Sequence, residues 1–415
     1  MVKNYIDIVP SPTMRREVRL PASKSICNRA LIIHALSRSE AELENLSDCD
    51  DTQTMLAALR DMPEVIDIGA AGTAMRFLTA YLCLTPGTRT ITGSERMRHR
   101  PIGVLVDALR KLGAQVEYEG EEGFPPLRIT GSASLEGGVL SVPGNVSSQY
   151  ISALLMIAPM LRNGLRLTLT ENVVSRPYLD MTLTVMRDFG AQAEWEAGNV
   201  VRVAPGGYRP KPYRIENDWS AASYWYEMVA LTRDVDCWVE LPGLRIDSIQ
   251  GDSCVRRIFE DLGVATEPCI CTSGEAGVRL NKGGRVVPRL DYDFTDCPDL
   301  AQTVTVTCAL MAVPFRFTGL HSLRIKETDR IAALCNELGA MGYVLDDSEE
   351  GTLKWDGARR EAEREIPVIS TYDDHRMAMA FAPVCFRCGR VRILNPEVVS
   401  KSYPSFWEEM GREKD

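Results

Sequence analysis

Along this chain, amphipathic runs at helical spacing repeatedly give way to a glycine and then to a short alternating segment. Leu109-Arg110-Lys111-Leu112-Gly113-Ala114-Gln115-Val116-Glu117 is one instance, and Met186-Arg187-Asp188-Phe189-Gly190-Ala191-Gln192-Ala193-Glu194 is a second. Phe259-Glu260-Asp261-Leu262-Gly263-Val264 is a third, and a fourth ends in Met341-Gly342-Tyr343-Val344. The pattern predicts a helix that stops at a left-handed glycine and turns into a strand. Gly113, Gly190, Gly263 and Gly342 recur with a period of about 75 residues, too long for a solenoid unit and suited to an α/β module of two helices and several strands. Gly411 is expected to close the last helix.

The first module is expected to end near residue 62, where a helix expected over about Thr52–Arg60 stops before Gly113 is reached. That interval falls well short of the period, so Asp61–Gly69 reads as an abridged connection lacking strands that the other modules have. Six modules suit two domains of three. The chain is expected to cross between them near Tyr213-Arg214-Ile215-Glu216, after the Pro/Gly-rich Pro205–Pro212 segment.

The length of 415 residues also exceeds one ordinary core. A hydrophobic content of 45% with 25% charged residues is that of a soluble globular protein. The net charge of −10 argues against a nucleic-acid or anionic-membrane surface, so any anion site must be a local basic pocket. No run approaches the ~18 apolar residues of a membrane span, and the N-terminal stretch has no signal-peptide core. Twelve scattered cysteines with only four histidines read as reduced core thiols of a cytoplasmic protein rather than a zinc site.

Charge clusters stand where helices are expected to begin. Leu323-Arg324-Ile325-Lys326-Glu327-Thr328-Asp329-Arg330 precedes Ile331, Leu334 and Leu338 at helix spacing. Taken alone it reads as a solvated first turn, with Lys326 and Arg330 one turn apart. Its sharper reading is an anion site with Glu327 handling a proton. Ser23-Lys24-Ser25 and Arg29 open an apolar helix that Ser23 or Ser25 could cap, without the glycines of a Walker A loop. Gly69-Ala70-Ala71-Gly72-Thr73 is a small-residue turn, and Arg96-Met97-Arg98-His99-Arg100 a basic loop before Pro101. Ser147-Ser148-Gln149 and Ser175-Arg176-Pro177-Tyr178 offer donors at further helix starts, without the surroundings of an activated serine. Asp296-Cys297-Pro298-Asp299 and Asp373-Asp374-His375-Arg376 would serve as plain caps, and Ser400-Lys401-Ser402 is a last basic loop. Ordinary capping explains each alone. Their recurrence in nearly every module predicts helix N-termini converging on a substrate with several negative charges.

Lys24-Ser25-x-x-x-Arg29, Ala71-Gly72-Thr73-Ala74-Met75-Arg76, Arg100-Pro101-Ile102-Gly103, Val146-Ser147-Ser148-Gln149, Lys326-Glu327-Thr328-Asp329-Arg330 and Asp374-His375-Arg376-Met377-Ala378-Met379 together resemble the 5-enolpyruvylshikimate-3-phosphate synthase family. The resemblance runs in order from about residue 18 to 407. It implies two inside-out α/β domains, each of three βαβαββ modules, with the active site in the cleft between them. The domains would be residues 21–215 and residues 1–20 with 216–415.

The implied activity transfers the enolpyruvyl group of phosphoenolpyruvate to the 5-hydroxyl of shikimate 3-phosphate and releases phosphate, through a tetrahedral addition–elimination intermediate. No metal or organic cofactor takes part. By resemblance, Lys24, Ser25, Arg29, Ser147, Ser148, Gln149, Ser175, Tyr178, Asp299, Ser322 and Lys326 would hold shikimate 3-phosphate. Phosphoenolpyruvate would meet Lys24, Gly72, Arg100, Gln149, Glu327, Arg330, Arg376 and Lys401. Asp299 would take the hydroxyl proton, Glu327 would protonate the methylene carbon and Lys326 would bridge the substrates; Lys24 and His375 complete the implied catalytic set, His375 as a supporting hydrogen-bonding group. The partners implied are these two small molecules alone, acting on a cytoplasmic monomer.

Three positions depart from the family pattern: Ala70 for Asn, Phe77 for Pro and Ser322 for Asn. They bear on affinity for phosphoenolpyruvate and on the response to glyphosate more than on reaction type. A sister enolpyruvyl transfer to a UDP-amino sugar would expect a cysteine in the Arg96–Arg100 loop, and none is there. The other rival, a non-catalytic shikimate-3-phosphate-binding relative, fits poorly with the presence of Lys24, Asp299, Lys326, Glu327 and His375.

Overall fold

A computed structural model describes residues 4–38 and 40–411. The chain forms two compact units, Ala22–Ile215 and Met1–Pro21 with Glu216–Asp415. Three four-stranded sheets share one topology. The sheet of Val65–Asp67, Gly87–Thr92, Leu127–Gly131 and Gln115–Tyr118 has its first two strands parallel and then an antiparallel hairpin. Gly138–Pro143, Leu165–Thr170, Val200–Val203 and Ala193–Ala197 repeat it. So do Arg15–Glu17, Trp238–Pro242, Ala276–Lys282 and Val264–Ile270 in the other unit. Each is a βαβαββ module, because a parallel pair needs a helical crossover whereas an antiparallel pair closes through a short turn.

The other three sheets are reduced. Leu290–Asp293, Phe315–Thr318 and Leu353–Trp355 make one of three strands. There the segment after Gly342 contributes only isolated bridges at Tyr343 and Asp346, not the strand expected of it. Val368–Ile369 and Val391–Leu394 are completed by the N-terminal strand Tyr5–Ile8. The first module has only Leu43–Glu44 paired in parallel with Tyr213–Arg214. Its hairpin is missing: after the Asp50–Asp61 helix the chain passes directly to Val65–Asp67, the first strand of the next module. The abridgement at Asp61–Gly69 is therefore the loss of two strands.

Each unit has a set of buried helices packed on one another at its centre. In Ala22–Ile215, the helices Lys24–Leu36, Gly72–Cys83 and Ser148–Ile157 pack on one another. In the other unit Ala301–Leu310 packs against both Trp219–Leu231 and His375–Phe381. Every residue of Ala301–Leu310 and of His375–Phe381 is buried. A helix buried on all sides must be apolar all round or satisfy its own polar groups. Thr305 and Thr307 do the latter, donating to the carbonyls of Ala301 and Thr303 at 2.7 Å. The outer helices are one-sided: Gly103–Lys111 buries Leu105, Val106, Ala108 and Leu109 and exposes Asp107, Arg110 and Lys111.

Gly113, Gly190, Gly263 and Gly342 all have positive φ, between 81° and 95°, which is the helix-ending conformation their spacing predicts. Gly411 differs, lying inside the last turn of Phe406–Gly411 instead of after it. The cysteines are free thiols, and none of the described helices is long and apolar enough to cross a membrane.

Candidate active site

In the unit that carries Glu216–Asp415, the starts of the module helices bring seven charged groups together. Asp299 lies in the short 3-10 turn Pro298–Leu300 that feeds Ala301–Leu310. Arg330 is the first residue of Arg330–Ala340, which Asp329 caps by accepting from the Ala332 N–H at 3.0 Å. Asp374 caps His375–Phe381 by accepting from the Arg376 N–H at 2.9 Å. Lys401 ends the 3-10 turn Pro396–Lys401. The Lys326–Thr328 stretch precedes the helix instead of forming its first turn, so Lys326 and Arg330 are not one helical turn apart.

Arg330 is the hub. Its side chain is 1% exposed, the opposite of a solvated first turn. Its Nε donates to Asp374 Oδ2 at 2.7 Å and its Nη2 to Glu327 Oε2 at 3.0 Å. Its Nη1 reaches Asp299 Oδ1 at 3.2 Å. Arg376 holds the other Asp299 oxygen at 2.8 Å and donates to the Tyr224 hydroxyl at 3.4 Å. Lys401 Nζ donates to Glu327 Oε1 at 2.8 Å, and Lys326 Nζ stands 3.8 Å from Asp299 Oδ1. Asp299 is therefore no plain cap. His375 is buried with Nδ1 3.7 Å from Asp374 Oδ1, too far for a hydrogen bond between them.

The protonation states follow from this arrangement. Burial alone would raise the Asp299 carboxyl, but Arg376, Lys326 and Arg330 outweigh it and hold it far below the ordinary range. Asp252, buried beside Asp299, is pushed up to about 7 by burial and by the Asp299 charge. The Tyr224 phenol is pushed up to about 12, chiefly by burial. Arg330 is lowered by burial and raised more strongly by Asp374, Glu327 and Asp299, so it stays charged. Four cations thus face three carboxylates at a site with few other countercharges. An arriving anion would compete with Asp299 and Glu327 for the same cations.

The unit Ala22–Ile215 carries a second set. Lys24 Nζ lies 3.2 Å from Asp51 Oδ2, in the first turn of Asp50–Asp61. Arg29 is buried, and its hydrogen-bond acceptors among the described residues are neutral oxygens. Nε donates to Thr182 Oγ1 at 2.7 Å, Nη1 to the Ser25 carbonyl at 2.8 Å, and Nη2 to Ser152 Oγ at 3.1 Å and the Tyr178 carbonyl at 3.3 Å. Ser23 occupies the N-cap position without capping, and its hydroxyl is buried with no partner. Neither it nor Ser25 does what capping logic expected. Ser147 does cap Ser148–Ile157, accepting from the Gln149 N–H at 3.4 Å, and Gln149 Nε2 donates to Thr73 Oγ1 at 3.1 Å. Ser175 precedes Arg176–Asp188 in the left-handed region, with φ of 54° and no cap bond. Arg100 lies against the start of Gly72–Cys83: a Cβ on Gly72 would fall 2.6 Å from its Nη1. A side chain at 72 would therefore have to push this guanidinium aside. Ser148, Tyr178 and Ser322 are half-buried.

The chain matches a family model described as EPSP synthase (3-phosphoshikimate 1-carboxyvinyltransferase) over residues 9–65 and 61–410. The chain belongs to the EPSP synthase family. The break in the match falls at the shortened connection after Asp50–Asp61. A 3-phosphoshikimate 1-carboxyvinyltransferase of Bacteroides fragilis is 57% identical over 408 residues, covering 98% of this chain and 97% of that protein. A protein of the same name from Cellvibrio japonicus is 36% identical, with 97% of this chain and 98% of that protein covered. The solved structure of EPSP synthase from Acinetobacter baumannii has the same fold. Its TM-score is 0.77 at 24% identity, and the match covers 97% of this chain and 96% of that one.

Within this EPSP synthase fold, motif reading missed Asp51, Tyr224, Asp252, Ser152 and Thr182. Asp51 sits in the acidic stretch Asp48-Cys49-Asp50-Asp51 and looks like an ordinary first-turn acid, while the other four stand in no charge run, so local pattern gave no sign of their partners. All five are buried.

Proposed function

We propose that this chain transfers the enolpyruvyl group of phosphoenolpyruvate to the 5-hydroxyl of shikimate 3-phosphate and releases phosphate, in the shikimate route to aromatic amino acids. The structural observation behind the residue roles is that two carboxylates, Asp299 and Glu327, share one buried cation, Arg330. Asp299, ionised and 3.8 Å from Lys326, takes the proton of the attacking hydroxyl as its oxygen bonds to C2 of phosphoenolpyruvate. Glu327 gives a proton to the methylene carbon, which becomes a methyl group. In the second step the C2–O bond to phosphate breaks, Glu327 takes back a methyl proton and the double bond is restored. The hydroxyl proton leaves from Asp299, through Lys326, to the departing phosphate.

In the free protein Lys401 and Arg330 hold Glu327, and three cations hold Asp299. The carboxylate and phosphate of phosphoenolpyruvate draw on Arg330, Arg376 and Lys401. Their departure raises the proton affinity of both carboxylates when the substrate is present. Fixed cations that need little reorganisation supply the largest share of the rate. In the other unit Lys24, Ser25, Arg29, Ser147, Ser148, Gln149, Ser175 and Tyr178 hold shikimate 3-phosphate, joined by Ser322 and Lys326. Arg100 and Gly72 receive the second anion, and His375 is a supporting hydrogen-bonding group. Residues Ala22–Ile215 form the shikimate-phosphate side, and the chain acts as a cytoplasmic monomer without a cofactor.

The purified chain is expected to release phosphate only when both substrates are present. No turnover at millimolar phosphoenolpyruvate, with shikimate 3-phosphate still binding, would instead favour a non-catalytic relative.

A further inference from the structure

The buried Arg29 has an electrostatic peculiarity. Burial pulls its pKa down to about 10, which marks a cation short of compensating charge. Its hydrogen-bond acceptors are two hydroxyls and two carbonyls, with no carboxylate among the described residues. Arg330 and Lys24, by contrast, sit against carboxylates. Besides Tyr178, which acts on it electrostatically, the guanidinium faces the ring of Phe77, on the Gly72–Cys83 helix, with Cζ 5.4 Å from the ring centroid. Phe77 is fully buried and belongs to the same helix that places Gly72 against Arg100.

A guanidinium within about 6 Å of an aromatic face is attracted by the negative face of the ring, and more strongly where water is excluded. Such a partner holds a cation without neutralising it. A carboxylate in the same place would hold Arg29 more tightly but would cancel the charge that an anionic ligand needs. The chain therefore has a means of fixing a buried guanidinium while leaving its positive charge for the substrate. Pro, which the resemblance leads one to expect at this position, has no such face.

We propose that Phe77 is a positioning residue for substrate binding: its ring fixes the buried Arg29 guanidinium so that it keeps its charge for an anionic group of shikimate 3-phosphate. The inference rests on the reading that Arg29 binds that substrate. Phe77 touches no reacting atom and acts only through Arg29.

The test is a double-mutant cycle on the full chain, with Phe77→Leu, Arg29→Lys and the pair, read as Kd for shikimate 3-phosphate and as kcat and KM for phosphoenolpyruvate. Phe77→Leu is expected to weaken shikimate 3-phosphate binding about 3- to 30-fold, the range a desolvated cation–π contact supports. KM for phosphoenolpyruvate and kcat should move less than about 2-fold, a split that general loosening of the core would not give. In the Arg29→Lys background, Phe77→Leu should lose most of its effect. Unchanged shikimate 3-phosphate binding in a folded Phe77→Leu would overturn the proposal, as would an equal effect with Lys at position 29. If Phe77→Leu does not fold, Phe77→Met stands in for it under the same limits. A wild-type chain that binds no shikimate 3-phosphate would sink the reading of Arg29 itself, a separate outcome.

Discussion

Replacing Glu327 with Gln should lower kcat by about 10³- to 10⁴-fold while both substrates still bind. The amide keeps the size of the side chain and one acceptor oxygen, enough for either Lys401, which donates to Oε1 at 2.8 Å, or Arg330, which donates to Oε2 at 3.0 Å, but not for both. What it removes is the titratable proton. Glu327 is assigned a proton transfer in each half of the reaction, once to the methylene carbon and once from the methyl group, so both barriers rise together. Single-turnover kinetics beside substrate-binding isotherms separate this from a defect in affinity. Turnover near that of the wild type would remove Glu327 from its role and leave Lys326 or His375 to be tested in its place.

The second large effect is on stability as well as on activity. Arg330→Gln takes the cation out of a cluster in which Arg330 is 1% exposed and Asp374 is 0% exposed. Breaking a buried pair by removing one partner typically costs about 3–5 kcal/mol, because the other charge is left uncompensated. Denaturant unfolding should show a loss of that order at pH 7, with KM for phosphoenolpyruvate raised in whatever fraction stays folded. The pH dependence has a defined sign. Asp299 has a depressed folded-state pKa, so its stabilisation is fully present above the unfolded value near 3.8 and disappears as pH falls below it. The gap between wild type and Arg330→Gln should therefore narrow in acid. A gap that is small at pH 7, or that widens on acidification, would contradict the hub assignment.

Much of this was legible in the residues themselves. The four glycines at module ends announce their conformation through position alone, since few other residues end a helix in the left-handed region without strain. The Lys326–Arg330 cluster announced a helix start. What it could not announce was burial. A charge run reads as solvated until its partners are known, and those of Arg330 lie 44 residues ahead at Asp374 and 31 residues behind at Asp299. Asp51 was invisible for the same reason, because it looks like any acidic residue in the first turn of a helix until Lys24 is placed beside it. The borrowed strands Tyr5–Ile8, Arg15–Glu17 and Tyr213–Arg214 were hidden too. Each is short and pairs with a strand distant in sequence, so its place comes from tertiary pairing and not from local alternation. Capping logic misjudged Ser23 and Asp299, whose surroundings hold a buried hydroxyl and two guanidinium groups respectively.

The most direct test of the account is the hydrogen content of the product formed in D2O. If Glu327 protonates the methylene carbon and later removes a proton from the resulting methyl group, deuterium enters that carbon during turnover. Mass spectrometry of the enolpyruvyl product should then show deuterium on its methylene carbon, in an amount that depends on turnover with shikimate 3-phosphate present. Phosphate release accompanied by a product whose methylene group carries only the original protium would contradict addition followed by elimination, and with it the roles given to Glu327 and Asp299.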